Sequence, residues 1–223
     1  MAPPFYPDLP NMAGMDLETD NIAAIACTDG SSVVYKGGAI LSANQFFAKQ
    51  KASAVSILTK GKKHRHASSA FLNDLSLKHD CFLKDQMHKL STAIVRYCIA
   101  HRIGILVVGT NRLWKQHASM SKENNQKFVS IPHERLRWMI SYKALVAGIE
   151  VIWQEESYTS KADCTAGDLI PVYGKEKTHL VFSGRRIERG LYLCKAGYCI
   201  NADCNGAANI LRKAFPHAWD KCK

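Results

Sequence analysis

Hydrophobic positions near the start of the chain fall in short runs separated by polar breaks. Ala13–Leu17, Ile22–Cys27 and Ser32–Lys36 predict three strands. Glu18-Thr19-Asp20-Asn21 interrupts the first two, and Thr28-Asp29-Gly30-Ser31 is the turn of a β-hairpin. Gly37-Gly38 then breaks the pattern. From Ser42 to about His101 the spacing is helical. Met87, Leu90, Ile94, Val95 and Cys98 recur at three- and four-residue intervals and give this stretch one buried face. The uninterrupted apolar run Ile103–Gly109 predicts a parallel strand buried on both sides. Pro132 suits the first position of a helix reaching about Ala147, Gly148 its cap, and Ile149–Trp153 a further strand. Between Thr165 and Tyr198 the pattern becomes short-stranded and glycine-containing, and a last helix follows. The expectation is an α/β fold. Its divisions are a Pro-rich arm (1–11), a core (12–163), a small insert (164–199) and a final core helix (200–223).

Composition adds a partner class. The 223 residues are 47% hydrophobic, so a folded core is expected. Thirty Lys and Arg against 19 Asp and Glu give a net charge of +11, which points to a polyanion. The basic positions Lys60, Lys62, Lys63, Arg65, Lys115, Lys161, Arg185, Arg186 and Arg189 are candidate phosphate contacts. Trp114 or Tyr158 could stack a base. No 18-residue apolar stretch and no basic amphipathic helix with a bulky aromatic face occurs, so no membrane partner is expected. Met1–Pro10 lacks a basic segment followed by an apolar one, so it does not read as a signal peptide. No two of the eight cysteines are spaced as C-x-x-C, and reduced thiols in a cytoplasmic, nucleoid-associated protein are expected.

The chemistry lies in three acidic motifs spread along the chain. Asp16 sits in the first apolar segment. Glu155-Glu156 precedes Ser157-Tyr158-Thr159-Ser160-Lys161. Asp203 lies where the last helix opens. Carboxylates carried on separate strand and helix ends can converge to hold two Mg²⁺ or Mn²⁺ ions about 4 Å apart across a scissile phosphate.

Asn201–Lys213 resembles the last catalytic motif of the TnpB-type (OrfB family) transposon-associated nucleases, relatives of compact type V CRISPR effectors. Other stretches resemble that family in the same order: Gly14-Met15-Asp16-Leu17, His88-Lys89-Leu90-Ser91, Gly109-Thr110-Asn111 with Trp114-Lys115-Gln116, and Glu155–Lys161. The resemblance implies an RNase H-like (RuvC-type) mixed sheet. It also implies a two-metal DNA endonuclease, guided by RNA in full-length form, with Asp16, Glu156 and Asp203 as metal ligands and Glu155 as the fallback. Asn205 and Asn209 are expected to brace backbone or ligand geometry, and Asp203 could alternatively cap its helix.

Four departures qualify this picture. Gly109 stands where the family usually places a strand-end Glu, so the Glu is expected to have moved to position 156. Gly167 and Gly197 replace the second cysteines of a zinc ribbon. Cys164, Cys194 and Cys199 remain as candidates, with Cys204 or His179 as stand-ins. A zinc-free ribbon held by Tyr173, Phe182, Ile187 and Leu191 is expected instead. Glu18 follows Asp16-Leu17 where the family prefers Gly, and could disturb the site. The chain also starts almost at the first motif. The last two departures, with Gly109, favour the alternative of a nuclease-inactive nucleic-acid-binding remnant. A cut-and-paste transposase is a further alternative.

Overall fold

The computed structural model describes residues 9–61, 68–110, 131–174 and 180–220. Residues 1–8 of the Pro-rich arm lie outside them, as do Lys62, Lys63, Arg65, Trp114, Lys115 and His179.

A five-stranded mixed sheet organises the chain, in the order β3-β2-β1-β4-β5. Its strands are β1 (Asn11–Asp16), β2 (Asn21–Cys27), β3 (Ser32–Lys36), β4 (Ile103–Thr110) and β5 (Glu150–Glu155). β1 pairs antiparallel with β2 and parallel with β4, and β4 pairs parallel with β5. The carboxyl ends of β1, β4 and β5 therefore share one edge, the edge at which open α/β sheets bind ligands.

Strand alternation assigns the two faces. Ala13, Met15, Ile25, Leu106 and Val108 pack on one face against the helices α2 (Ala70–Ala100) and α3 (His133–Val146). Met12, Ile105 and Val107 point the other way, towards Ile210 and Leu211 of the last helix, α4 (Ala202–Ala214). β4 is thus covered on both sides, which is why it reads as an unbroken apolar run. The small residues Gly206, Ala207 and Ala208 line the buried side of α4. They let its backbone lie directly on β1 at Gly14, where an added Cβ would fall 1.9 Å from the Ala207 carbonyl oxygen.

The long helical stretch resolves into two helices. α1 (Gly38–Thr59) begins at the second glycine of the expected break, and α2 starts where Ser69 accepts a hydrogen bond from the Leu72 amide at 3.2 Å. Asn44 meets His79 at 2.7 Å, and Phe47 stacks on that imidazole, holding α1 to α2. The Lys143 ammonium joins α3 to α2, donating to the His88 carbonyl, Ser91 Oγ and Thr92 Oγ1 at 2.7–2.8 Å. These contacts give the His88–Ser91 motif a structural role in seating α3. Gly148 ends α3 in a left-handed conformation (φ 73°), as its position after the helix predicts.

A second, three-stranded antiparallel sheet comprises β6 (Arg185–Glu188), β7 (Leu191–Leu193) and β8 (Cys199–Asn201). β8 runs straight into α4. The sheet is not held as expected, because Tyr173 and Ile187 are exposed. Its core is Tyr192, fully buried against Cys194 and Ala202, with the Tyr192 hydroxyl donating to the Lys161 carbonyl at 2.8 Å. Among the described residues no helix is long and apolar enough to cross a membrane.

Candidate active site

Asp16 is the last residue of β1, Glu156 follows β5 directly, and Asp203 is the second residue of α4. The sheet edge brings the first two together, and the close seating of α4 on β1 brings the third. Asp16 and Asp203 are buried. Two glycines make room for the carboxylates. A Cβ at Gly206 would fall 2.6 Å from Asp16 Oδ2, and a Cβ at Gly109 would fall 2.5 Å from Glu156 Oε2. The Glu156 carboxylate therefore fills the space that a side chain at the end of β4 would take. A glutamate carried by the neighbouring strand reaches the place where a strand-end residue on β4 would project.

The electrostatics report the same convergence. Asp16 is held well above the usual carboxylate range, first by burial and then by repulsion from Glu156, Glu18 and Asp203. Glu156 is pushed up to about 7 by burial, with Glu18 and Glu155 adding and the Arg137 guanidinium opposing. Burial and Asp203 raise Glu18, while Arg186 and Arg189 draw it down. Glu18 is thus a fourth member of the cluster. Its neighbours are both the proposed ligands and two arginines.

Asp203 does not cap its helix. Asn201 does, accepting from the Asp203 and Cys204 amides at 3.0 and 3.1 Å. This leaves the Asp203 carboxylate free to face the cluster, where Asn21 Nδ2 donates to Oδ2 at 2.6 Å and Arg186 to Oδ1 at 3.3 Å. Arg189 pairs with Asp20. Glu155 is committed elsewhere: its carboxylate takes the deeply buried Lys213 ammonium at 2.6 Å and the Ser157 amide at 2.7 Å. One step along the chain separates a glutamate at the end of β5, bound to Lys213, from one that acts on Asp16. As these side chains stand, no three His, Cys, Asp or Glu groups among the described residues are placed to hold one ion.

Asn205 and Asn209 brace backbone. Asn205 donates to the Ala162 carbonyl at 2.8 Å and accepts from the Cys164 amide at 3.0 Å; Asn209 donates to the Thr159 and Ala162 carbonyls at 2.9 and 2.6 Å. Lys213 continues the same face of α4, and the spacing 205, 209, 213 is a signal from which it could have been found. Arg137, whose guanidinium reaches the Gly109 carbonyl, and Asn21 carried no comparable signal.

The basic candidates separate into distinct settings. Lys60 and Arg185 are exposed. Lys161 is exposed above the Tyr158 ring, itself stacked on Phe182. Arg186 and Arg189 are exposed as well, and each is paired with an acid, Arg186 with Asp203 and Arg189 with Asp20.

In the insert, Cys164 is partly buried, Cys194 buried and Cys199 exposed, and burial pushes the Cys164 thiol up to about 12. The turns starting at Cys164 and Cys194 are tied by Asp163, a fully buried carboxylate that sequence reading missed. It accepts from the Thr165 and Lys195 amides at 2.9 and 2.7 Å and from Thr165 Oγ1 at 2.7 Å. These bonds hold its proton affinity down. Asp163→Ala is expected to cost about 3 kcal/mol, because buried amides lose a charged acceptor. Thermal unfolding with and without a chelator checks this: the substitution should lower the midpoint far more than the chelator does.

Two family models match the chain. OrfB_IS605 ("Probable transposase") covers residues 7–115, and the Cas12f1-like TNB domain covers residues 133–210. The TnpB-like protein ORF457 of Acidianus two-tailed virus is 23% identical over 91% of this chain and 42% of its own length. The CRISPR-associated endodeoxyribonuclease Cas12f2 of a Micrarchaeota archaeon (strain CG1_02_47_40) is 29% identical over 57% of this chain and 23% of its own. The chain thus spans less than half the length of these relatives. Among solved structures, a Cas12f1–sgRNA–target DNA complex superposes with a TM-score of 0.60 at 19% identity, covering 92% of this chain and 50% of that one. A CRISPR-Cas12f ternary complex gives 0.59 at 17% identity, covering 91% and 38%. The five-stranded mixed sheet with its flanking helices is the RuvC-like fold of Cas12f, and the small antiparallel sheet accompanies it.

Proposed function

Since the chain belongs to the TnpB-like OrfB family and carries a Cas12f-like TNB domain, we propose that it is the catalytic core of a metal-dependent DNA endonuclease, guided by RNA when joined to the remainder of a full-length protein. One observation carries this reading: Asp16, Glu156 and Asp203, drawn from three distant segments, lie at the carboxyl edge of the sheet, near enough for Glu156 and Asp203 both to repel the Asp16 carboxylate. The donor set fits a hard divalent cation such as Mg²⁺ or Mn²⁺, because every donor is a carboxylate oxygen. Burial, with repulsion from neighbouring carboxylates added to it, raises Asp16 and Glu156, and a bound cation would offset both. Gly206 and Gly109 keep the space in front of both carboxylates clear of side chains.

Asp16, at the centre of the cluster, would hold the ions together with Glu156 and Asp203. When bound, such ions make a bound water nucleophilic at neutral pH and stabilise the departing 3′-oxygen. Asn205, Asn209 and Lys213 hold the segment that carries Glu156, and the Asn201 cap fixes the start of α4 and hence Asp203. No nucleophilic side chain is required. DNA and a guide RNA would be held by backbone contacts from exposed basic residues such as Lys60, Lys161 and Arg185.

Calorimetric titration with Mn²⁺ tests this reading without knowledge of guide or target. The native chain is expected to bind two ions, and Asp16→Asn to abolish both sites while remaining folded by circular dichroism. Absence of binding by a folded native chain would overturn the nuclease reading and leave a nucleic-acid-binding remnant of the family.

A further inference from the structure

Arg186 sits where a cation would be expected to compete. It lies on β6, whose backbone is set by pairing with Tyr192 on β7, and Tyr192 is anchored to the core through Lys161. Its guanidinium reaches Asp203 Oδ1 at 3.3 Å, while Asn21 holds the other oxygen. The two partners differ in freedom. The Asp203 side chain is 6% exposed and fixed on both oxygens, whereas that of Arg186 is 41% exposed and approaches from the solvent side. Arg186 also draws Glu18 down, so its charge acts on two members of the cluster at once. Arg189, by contrast, pairs with Asp20, although it too draws Glu18 down.

We propose that Arg186 is a resident counter-charge of the acid cluster, which a divalent cation must displace from Asp203 before the site loads. The proposal rests on the metal-dependent reading above and adds a competitor to it. A carboxylate oxygen engaged by a guanidinium is a poorer metal ligand, and four converging carboxylates without a cation need positive charge from the protein. The insert supplies it through a side chain that can swing out to solvent. Loading the site and releasing β6's grip on α4 are then one exchange: the Arg186–Asp203 bond breaks as the cation–Asp203 bond forms.

Mn²⁺ titration of the native chain, Arg186→Gln, Arg186→Lys and Arg189→Gln, read by calorimetry and by the paramagnetic resonance of free Mn²⁺, tests the exchange. Arg186→Gln is expected to bind about fivefold more tightly, in line with loss of a half-exposed ion pair. Arg186→Lys should stay near the native affinity, and Arg189→Gln should change it less than Arg186→Gln. Circular dichroism establishes that each variant is folded. Equal or weaker binding by Arg186→Gln, beside measurable native binding, would overturn the proposal while leaving the metal site intact. Binding by none of the folded chains would overturn the metal reading and this proposal with it.

Discussion

Glu156→Gln raises the unfolding free energy of the metal-free chain at pH 8 by about 3 kcal/mol and removes most of its loss of stability between pH 5 and 7. The sign follows from the direction of the shift. Burial and the neighbouring Glu18 and Glu155 lift the Glu156 carboxyl from an ordinary 4.5 to about 7 in the folded chain. The folded state then binds a proton more tightly than the unfolded state. Stability is full below the unfolded value, falls as pH rises from about 4.5 to about 7, and is level above. The size follows from 1.36 kcal/mol for each pK unit. Asp16 is raised by burial and then by repulsion from Glu156, Glu18 and Asp203; it contributes in the same direction, and removing the Glu156 charge relieves part of it as well. Glu155→Gln should do the opposite, because Glu155 is paired with the buried Lys213. Urea unfolding in a chelating buffer at several pH values separates the two. A Glu156→Gln chain that is less stable than the native one at pH 8 would sink this account of the cluster. Metal-free, the site is folded against its own charge, a cost that functional sites commonly carry.

The second large effect is structural. Gly14→Ala is expected to cost about 3–5 kcal/mol, much of the stability of a domain this size. The new Cβ would fall 1.9 Å from the Ala207 carbonyl oxygen and 2.9 Å from Ala207 C and Leu211 N. All three are backbone atoms of α4, so no rotamer change relieves the clash. The helix has to lift by roughly 1.5 Å before the contact becomes ordinary. Lifting it loosens Ile210 and Leu211 over Val107, which are fully buried, and moves Asp203 away from Asp16. Gly38→Ala is the matched control, since nothing lies within 4 Å of a Cβ there and the residue starts α1. It should be neutral or slightly stabilising. Urea unfolding of the pair measures the difference. A Gly14→Ala chain within 1 kcal/mol of native stability would mean that α4 is not seated as described.

Local pattern determined much of this molecule. The strand Ser32–Lys36 lies where its alternation puts it, the run from Ile103 is buried on both faces, and Gly148 ends its helix. These features depend on neighbours within a few residues, whose spacing is written directly in the chain. The order of Asp16, Glu156 and Asp203 was likewise legible, because the acids stand at the ends of elements that the pattern predicts. What the tertiary structure alone decided is which partner each polar side chain meets. Glu155 and Glu156 are adjacent, yet one is bound by Lys213 and the other faces Asp16, because successive side chains leave a strand on opposite sides. Asn201 takes the cap that Asp203 could have taken. Asp163 and Tyr192 hold the small sheet in place of Tyr173 and Ile187. Arg186 and Arg189, though exposed, are paired with Asp203 and Asp20. Each of these contacts joins residues set by packing rather than by periodicity, and a period of two or 3.6 residues carries no record of them.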